Sequence, residues 1–382
     1  MYSPSKKSRD WLLIGIFTIL ATALYFVPTG FEKNKDEDAV RCTAEVVGVD
    51  NENIQELGMI RTGEQSVTLR MLDGPYSGQE FDGLNQLLGQ MDRDKDFRVG
   101  DTAYVVLTIG EDGEVIFVNP QAHYRLGLEL LLLGLFAGLL ILFGGMTGLK
   151  ALLSFIFTGM TIWKVLVPLL LKGTDPVWLA LCVVALLSGV IIFMVAGLNR
   201  TGLTAFIGTL LGVISSCALA AYFTSKFHVH GAVMPFAETL LYAGYGHLDL
   251  TRIFMAGVFL ASSGAVMDLA MDVAASMGEV VSKKPGISRV EAVWSGIRVG
   301  RAVVGTMTTT LLLAYSGGYV TLLMAFMAQG IPLGSTFNFV YVAAEVLKTL
   351  VGSFGLVTVA PFTAVVGGML LVGKEDRGGL NH

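Results

Sequence analysis

Gly257-Val-Phe-Leu-Ala-Ser-Ser-Gly-Ala-Val-Met-Asp-Leu-Ala-Met-Asp-Val-Ala-Ala275 is apolar enough to cross a bilayer, yet it carries two carboxylates, Asp268 and Asp272. At four-residue spacing both project from one helical face, and Gly257, Ala261 and Gly264 fall on that face with the small-residue spacing that lets another helix approach. A carboxylate at mid-bilayer costs about 2.5–3.5 kcal/mol on insertion scales unless it is paired, neutralised or wetted, which makes it a functional hypothesis by default. This face is therefore expected to meet protein or a water-filled path rather than lipid.

The same composition recurs on either side. Of the chain, 53% is apolar and only 15% charged. Apolar windows lie near 11–28, 126–145, 150–171, 177–197, 202–224, 252–277, 300–316 and 352–373, each close to the roughly 20 residues that span hydrocarbon. The expected fold class is an α-helical polytopic membrane protein of about eight spans, with a ninth open, and a small extracytoplasmic all-β domain after the first span. The divisions are 1–28 (cytoplasmic N-terminus and first span), 29–125 (β domain), 126–373 (helical block) and 374–382 (tail). Three cysteines, Cys42, Cys182 and Cys217, make no disulfide framework.

Lys6, Lys7 and Arg9 precede the first apolar run and predict an N-terminus inside, on an uncleaved anchor. Residues 29–125 then lie outside. They hold 19 of the 31 acids against nine basic residues, read as a solvated surface. Strands are predicted at Ala44–Val49, Ser66–Met71, Thr102–Thr108 and Glu114–Val118, with turns at Asp73-Gly74, Ser77-Gly78, Asp82-Gly83, Val99-Gly-Asp101 and Asp112-Gly113. Glu111-Asp-Gly-Glu114 is a hairpin signal. A five- or six-stranded barrel-like domain follows. Asp92, Asp94 and Asp96 alternate, but lack the glycine and terminal glutamate of a calcium loop.

In the helical block, Lys150, Arg200, Lys283, Lys284, Arg289, Arg298 and Arg301 fall on the inner side under this topology. Ser288–Gly300 reads as an amphipathic helix leading into the next span. Residues 300–330 are too long for one straight helix, and Gly317-Gly318 marks a break. Asn338–Leu350, with Glu345 and Lys348, reads as an interfacial segment.

These motifs resemble the YibE/F-like family of bacterial multi-pass membrane proteins, nearly end to end. The resemblance rests on Leu248-Asp-Leu250, Gly264-Ala-Val-Met-Asp-Leu-Ala-Met271, Gly300-Arg301, Gly305-Thr-Met-Thr-Thr-Thr310 with Leu311–Tyr315, Val351-Gly-Ser-Phe-Gly355 and Pro361, together with Thr62-Gly63 and Val99-Gly-Asp101. Family members commonly carry asparagine where this chain has Thr309, and lack a lysine like Lys164. The resemblance implies architecture more than activity. A looser likeness in layout, over 250–373, is to SecF and RND-type exporters, where a mid-membrane aspartate takes part in proton coupling; it is an analogy of layout only.

Asp268 and Asp272 are the candidate proton- or ion-coupling residues; the competing reading is a structural aspartate bonded to a neighbouring helix. Thr306, Thr309 and Thr310 share a face and are candidates for a polar path, against hydroxyls that merely bond back to their own helix. Lys164, Arg298 and Arg301 are candidate charge partners, against snorkelling for Lys164 and interfacial anchoring for the arginines. His228, His230 and His247, with Glu238 and Asp249, read as surface residues rather than a metal site. No phosphate loop, His-Glu-x-x-His, Gly-x-Ser-x-Gly or Cys-x-x-Cys occurs, so neither catalytic nor metal-ligating residues are assigned, no enzyme activity is expected, and the sequence leaves any cofactor unknown. The expected partners are the lipid bilayer and a small ion or solute, with a homo-oligomer open and no nucleic acid. The expected function is secondary transport, coupled to protons or a cation through the intramembrane aspartate, with its substrate undefined. The alternative is a non-transporting assembly factor or receptor that binds a partner through its β domain.

A single cysteine introduced at Asp112 should react with a membrane-impermeant thiol reagent in intact cells. Protection until the cells are lysed would overturn the topology.

Overall fold

The structure, a computed structural model, describes residues 6–31, 39–110 and 112–372. The side chains of Lys6, Lys7 and Arg9, residue Glu111, and the tail with Lys374 and Arg377 lie outside that description. The chain divides into two compact units: one runs from Gly30 to Leu142, the other comprises the residues before and after it.

The first unit contains five antiparallel-paired strands, β1 (Ala39–Leu57), β2 (Ile60–Met71), β3 (Glu80–Leu88), β4 (Thr102–Ile109) and β5 (Val115–His123), in the order β3-β2-β1-β4-β5. The long β1 holds the unit together. Its first part pairs with β4, from Ala39↔Thr108 to Glu45↔Thr102, and its later part with β2, from Ala44↔Met71 to Leu57↔Ile60. Register shifts between Val46 and Gly48 and between Asp50 and Asn53 bend it between the two partners. The sheet curls until its edge strands meet: a Cβ on Gly83 of β3 would come within 3.1 Å of the Val118 carbonyl of β5. This connectivity is that of the five-stranded, partly open Greek-key barrel called the OB-fold.

Alternation fills the barrel. Cys42, Ala44, Val46, Val67, Leu69, Met71, Ala103, Val105 and Leu107 point inward and are buried, with Phe97 from the β3–β4 connection. Two amides are also buried and tie that connection down: Gln65 Oε1 accepts from Phe97 N (3.1 Å) and Asn85 Nδ2 (2.9 Å), and Asn85 Nδ2 also donates to Lys95 O (2.6 Å). Gly74, Gly78, Gly100 and Gly113 have the positive φ expected of turns, and the hairpin closes through Gly110 N to Glu114 O (2.8 Å). Asp82-Gly83 was expected to turn but lies inside β3. Asp82 accepts from Thr68 Oγ1 across the ladder (2.8 Å), and Gly83 is the close approach to β5. The alternating aspartates are engaged separately: Asp94 accepts from Leu88 N and Gln90 N, and Asp96 pairs with Arg61.

The helices, in chain order, are α1 (Lys6–Phe26), α2 (Leu126–Thr161), α3 (Val167–Leu171), α4 (Pro176–Val195), α5 (Arg200–Lys226), α6 (Ala237–Tyr242), α7 (Leu250–Lys283), α8 (Arg289–Ser316), α9 (Val320–Ala328), α10 (Leu333–Asn338) and α11 (Val340–Leu370). Among the described residues, six helical stretches are long and apolar enough to cross a membrane, and Ile14–Phe26 is a shorter apolar one. Two of the six are interrupted. Leu126–Leu171 breaks at Gly145 (φ 53°, ψ −126°), a conformation only glycine adopts readily, and continues through a π-helical turn at Ile162–Leu166. Arg289–Ala328 breaks at Gly317–Tyr319, as the paired glycines predict.

In the second unit α7 is the hub, packed against α4, α5, α8 and α11. Helices approach closely through small residues: a Cβ on Gly300 of α8 would come within 2.6 Å of Ala360 on α11, and one on Gly212 of α5 within 2.8 Å of Val359 on α11 and 2.9 Å of Val266 on α7. α1 docks in the same unit, with the Phe17 and Phe157 rings 6.1 Å apart edge to face and Ile14 buried. Two segments gain detail from the structure. Lys150 lies within α2 and is buried, because the chain turns at Gly145 rather than at the lysine. Residues 340–350, read as an interfacial segment, form the start of the long helix α11, which holds the Glu345–Lys348 pair.

Cys42 makes the barrel testable. Burial, and after it the charge of Asp73, push its thiol from 9.0 up to about 11. Because the folded value lies above the unfolded one, the neutral thiol's contribution to stability is complete below about pH 9 and is lost as pH rises from 9 through 11. At neutral pH Cys42 should resist maleimide until denaturant is added; rapid modification in the native protein would contradict the buried position.

Candidate functional site

Asp249 caps α7, its side chain accepting from Arg252 N (3.0 Å), and the helix then runs without a break for 34 residues. Its midpoint falls near Val266, so Asp268 sits about 3 Å and Asp272 about 9 Å beyond the middle. The face opposite them is sealed: Val258, Phe259, Ser262, Val266, Leu269, Ala270, Val273 and Met277 are buried. The carboxylate face is not. Ala261, Gly264, Asp268, Asp272 and Ala275 are exposed, and nothing lies within 4 Å of a Cβ built on Gly257 or Gly264. The close approach of another helix expected on this face is therefore not made by the described residues of this chain. The physical difference is local, since glycines on α8 are filled: Gly296 meets Met277 and Ala364, and Gly300 meets Ala360.

α8 runs antiparallel beside α7 with a readable register. Gly300 is level with Val273, at 3.7 Å from a built Cβ, and Leu311 is level with Ser262, both lying against Gly352. Eleven residues separate the two levels on each helix. Counting inward places Arg301 level with Asp272, Gly305 with Asp268 and Thr306 with Met267. Arg298, Arg301, Thr306, Thr309 and Thr310 are all exposed. The hydroxyls bond to their own helix, Thr306 to Val303 O (2.9 Å), Thr309 to Gly305 O (3.4 Å) and Thr310 to Thr306 O (3.1 Å), which is the plainer of the two readings for apolar-helix threonines. Among the described residues, no hydrogen bond or ion pair engages Asp268 or Asp272, and Arg301 pairs with neither. Depth brings these groups together; side-chain contact within one chain does not.

Lys164 goes elsewhere. It lies in the π-helical turn, where its Nζ donates to Val27 O (3.0 Å) and stands 6.0 Å from the Tyr25 ring centre, tying that turn to the end of α1. His228 and His230 are exposed, and among the described residues no group of three His, Cys, Asp or Glu side chains is arranged to hold a metal. Asp249 serves as the α7 cap, while Asp175 caps α4 and pairs with Arg252. Beside them His247 helps line a cavity of about 210 Å³.

One ionisable cluster escaped the sequence reading. Lys348 Nζ meets Glu345 Oε1 at 2.7 Å, the two side chains only 26% and 24% exposed, and the ammonium stands 5.6 Å from the Phe254 ring centre of α7. The Tyr315 hydroxyl of α8 is buried and makes no hydrogen bond among the described residues, and Glu345 is within electrostatic reach of it. The available signal was the i, i+3 spacing of opposite charges, which lets a pair cross apolar surroundings on a helix. Its position beside the α8–α9 break was not visible in the spacing.

The chain belongs to the YibE/F-like protein family, whose model matches residues 132–373. That span covers the helical block and includes Asp268, Asp272 and Glu345. No curated protein and no solved structure matches the chain.

Removing one partner of a half-buried pair leaves the other charge stranded, at a cost of about 3–5 kcal/mol where burial is complete and less here. Glu345→Gln should therefore lower thermal stability in detergent more than Glu345→Gln/Lys348→Met does. Equal or greater loss in the double variant would remove the pair from the account.

Proposed function

We propose that this YibE/F-like membrane protein is a secondary transporter of the bacterial cytoplasmic membrane, coupled to protons or a cation through Asp268. The observation that carries the reading is the pair of carboxylates near the middle of the hub helix, on its one open face. Hydrocarbon offers no donor to a carboxylate, so such groups are kept where they bind or move charge. Interrupted helices, here at Gly145 and Gly317–Tyr319, often mark transporter sites and support the same reading. In this account the N-terminus is inside, the β barrel is outside, Leu126–Leu171 supplies two membrane segments and Arg289–Ala328 one or two, giving eight or nine crossings. Asp268 is the principal carrier, because Asp272 lies farther from mid-helix and closer to water.

A second reading has its own support. Leu57, Met59 and Ile60 at the β1–β2 hairpin are 70%, 81% and 41% exposed, and Leu88 and Met91 beyond β3 are 63% and 65% exposed. Strand pairing joins them at one end of the barrel, where Thr62 opposes Leu88. Exposed apolar patches of this kind mark docking surfaces, so a receptor or assembly factor is the alternative.

Dicyclohexylcarbodiimide, which reacts with protonated carboxyls in apolar surroundings, separates the two. The transport reading expects modification of Asp268 that declines as pH rises and disappears in Asp268→Asn, a variant that inserts and folds normally. An Asp268 inert to the reagent at every pH would contradict it.

A further inference from the structure

We infer that the open face of α7 is covered by α8 of a second copy of this chain, in a parallel pair where Arg301 of each copy meets Asp272 of the other. The inference needs the chain to lie in a membrane, but does not need it to transport anything.

The face states what its occupant must supply. Its small residues, Ala261, Gly264 and Ala275, admit a closely approaching helix, and nothing within 4 Å fills the space at Gly257 or Gly264. At the level of Asp272 the occupant must bring a cation, and at the level of Asp268 it must be narrow. The uncovered apolar segments of the chain itself are poor candidates on charge alone. Residues 126–142 carry Glu129 and no lysine or arginine, and α9 carries no charge.

α8 meets the description. Arg301 stands level with Asp272 and is exposed, and Gly305, with nothing within 4 Å of a built Cβ, stands level with Asp268. Within one chain these groups are at matching depth yet unpaired. A two-fold axis along the membrane normal keeps every residue at its own depth, so each copy's Arg301 arrives at the level of the other copy's Asp272. The contact is then self-complementary, with two equivalent ion pairs, as a two-fold interface requires. Glycine at 305 leaves room for the facing helix, and the exposed Thr306 hydroxyl oxygen becomes an acceptor for a protonated Asp268. The coupling face becomes a seam between copies, closed to lipid.

The test uses the full-length protein in native membranes, with Cys42, Cys182 and Cys217 replaced. Oxidation should cross-link Ala261→Cys in one copy to Leu312→Cys in a differently tagged copy, the exposed α8 position the register puts at the same level, severalfold more than to Ile214→Cys, an exposed position on α5. Adding Asp272→Arg to both copies, or Arg301→Asp to both, should abolish the cross-link. Placing Asp272→Arg in one copy and Arg301→Asp in the other should restore it between unlike copies, because one reversed and one native pair then bridge the interface. An ion pair inside one chain cannot produce that rescue. Should Asp272→Arg fail to insert, Asp272→Asn takes its place with Arg301→Leu: either one in both copies should lose the cross-link, and one in each copy should recover part of it, because one native Arg301–Asp272 pair then remains across the interface. Equal cross-linking of Ala261→Cys to Leu312→Cys and to Ile214→Cys, no intermolecular product, or no rescue would overturn the inference, and carbodiimide labelling of Asp268 would still report separately on transport.

Discussion

Hydrocarbon supplies no hydrogen bonds, and that constraint organises this molecule. Backbone groups are satisfied within long helices, and side-chain polarity is either folded back onto the helix or gathered into a few places. Thr161, Thr204, Thr209 and Thr363 each donate to the carbonyl four residues earlier, at 2.8 Å. Glu345 and Lys348 neutralise each other within one turn of α11. Asp268 and Asp272 have no such arrangement, although they stand on the helix that four others surround. Among the described carboxylates deep in the long helices they are the exception that a purely structural account leaves over.

Close packing gives the exception its setting. α5, α7, α8 and α11 come together through glycine and alanine, so the buried side of α7 is held tightly and cannot rotate to hide its carboxylates without opening gaps at Gly212, Gly300 and Gly352. A rigid hub that presents two acids at a fixed depth is suited to binding a small charge reversibly. α8, in fixed register beside it, presents a cation and hydroxyls at the matching level. The β barrel is a separate packing problem, solved by a bent β1 and two buried amides, and it offers an apolar end for contact.

Much of this was legible in the residues. The run around Asp268 declares a helix, its length and its unusual face; Gly317-Gly318 declares a break; Glu111-Asp-Gly-Glu114 declares a hairpin. The failures have a common cause, since each required knowing the neighbour. Asp82-Gly83 has turn chemistry, but β5 passes close enough to demand glycine within a strand. Glu345 and Lys348 mark an interfacial segment by their charge, while their contact with each other shows only in the folded helix. Small residues announce that something can come near, and cannot say what: Gly296 and Gly300 are filled by α7 and α11, whereas Gly257 and Gly264 stand open.

The central claim is that the Asp268 face lies at mid-bilayer depth and is withheld from lipid. Nitroxide labels at Ala261 and Ala275, compared with one at Ile214 in the same reconstituted protein, measure this by power saturation with oxygen, which partitions into lipid, and with a water-soluble nickel chelate. The account predicts low oxygen accessibility at both α7 positions and high accessibility at Ile214. Oxygen accessibility at Ala261 equal to that at Ile214 would place the carboxylate face against lipid and contradict it.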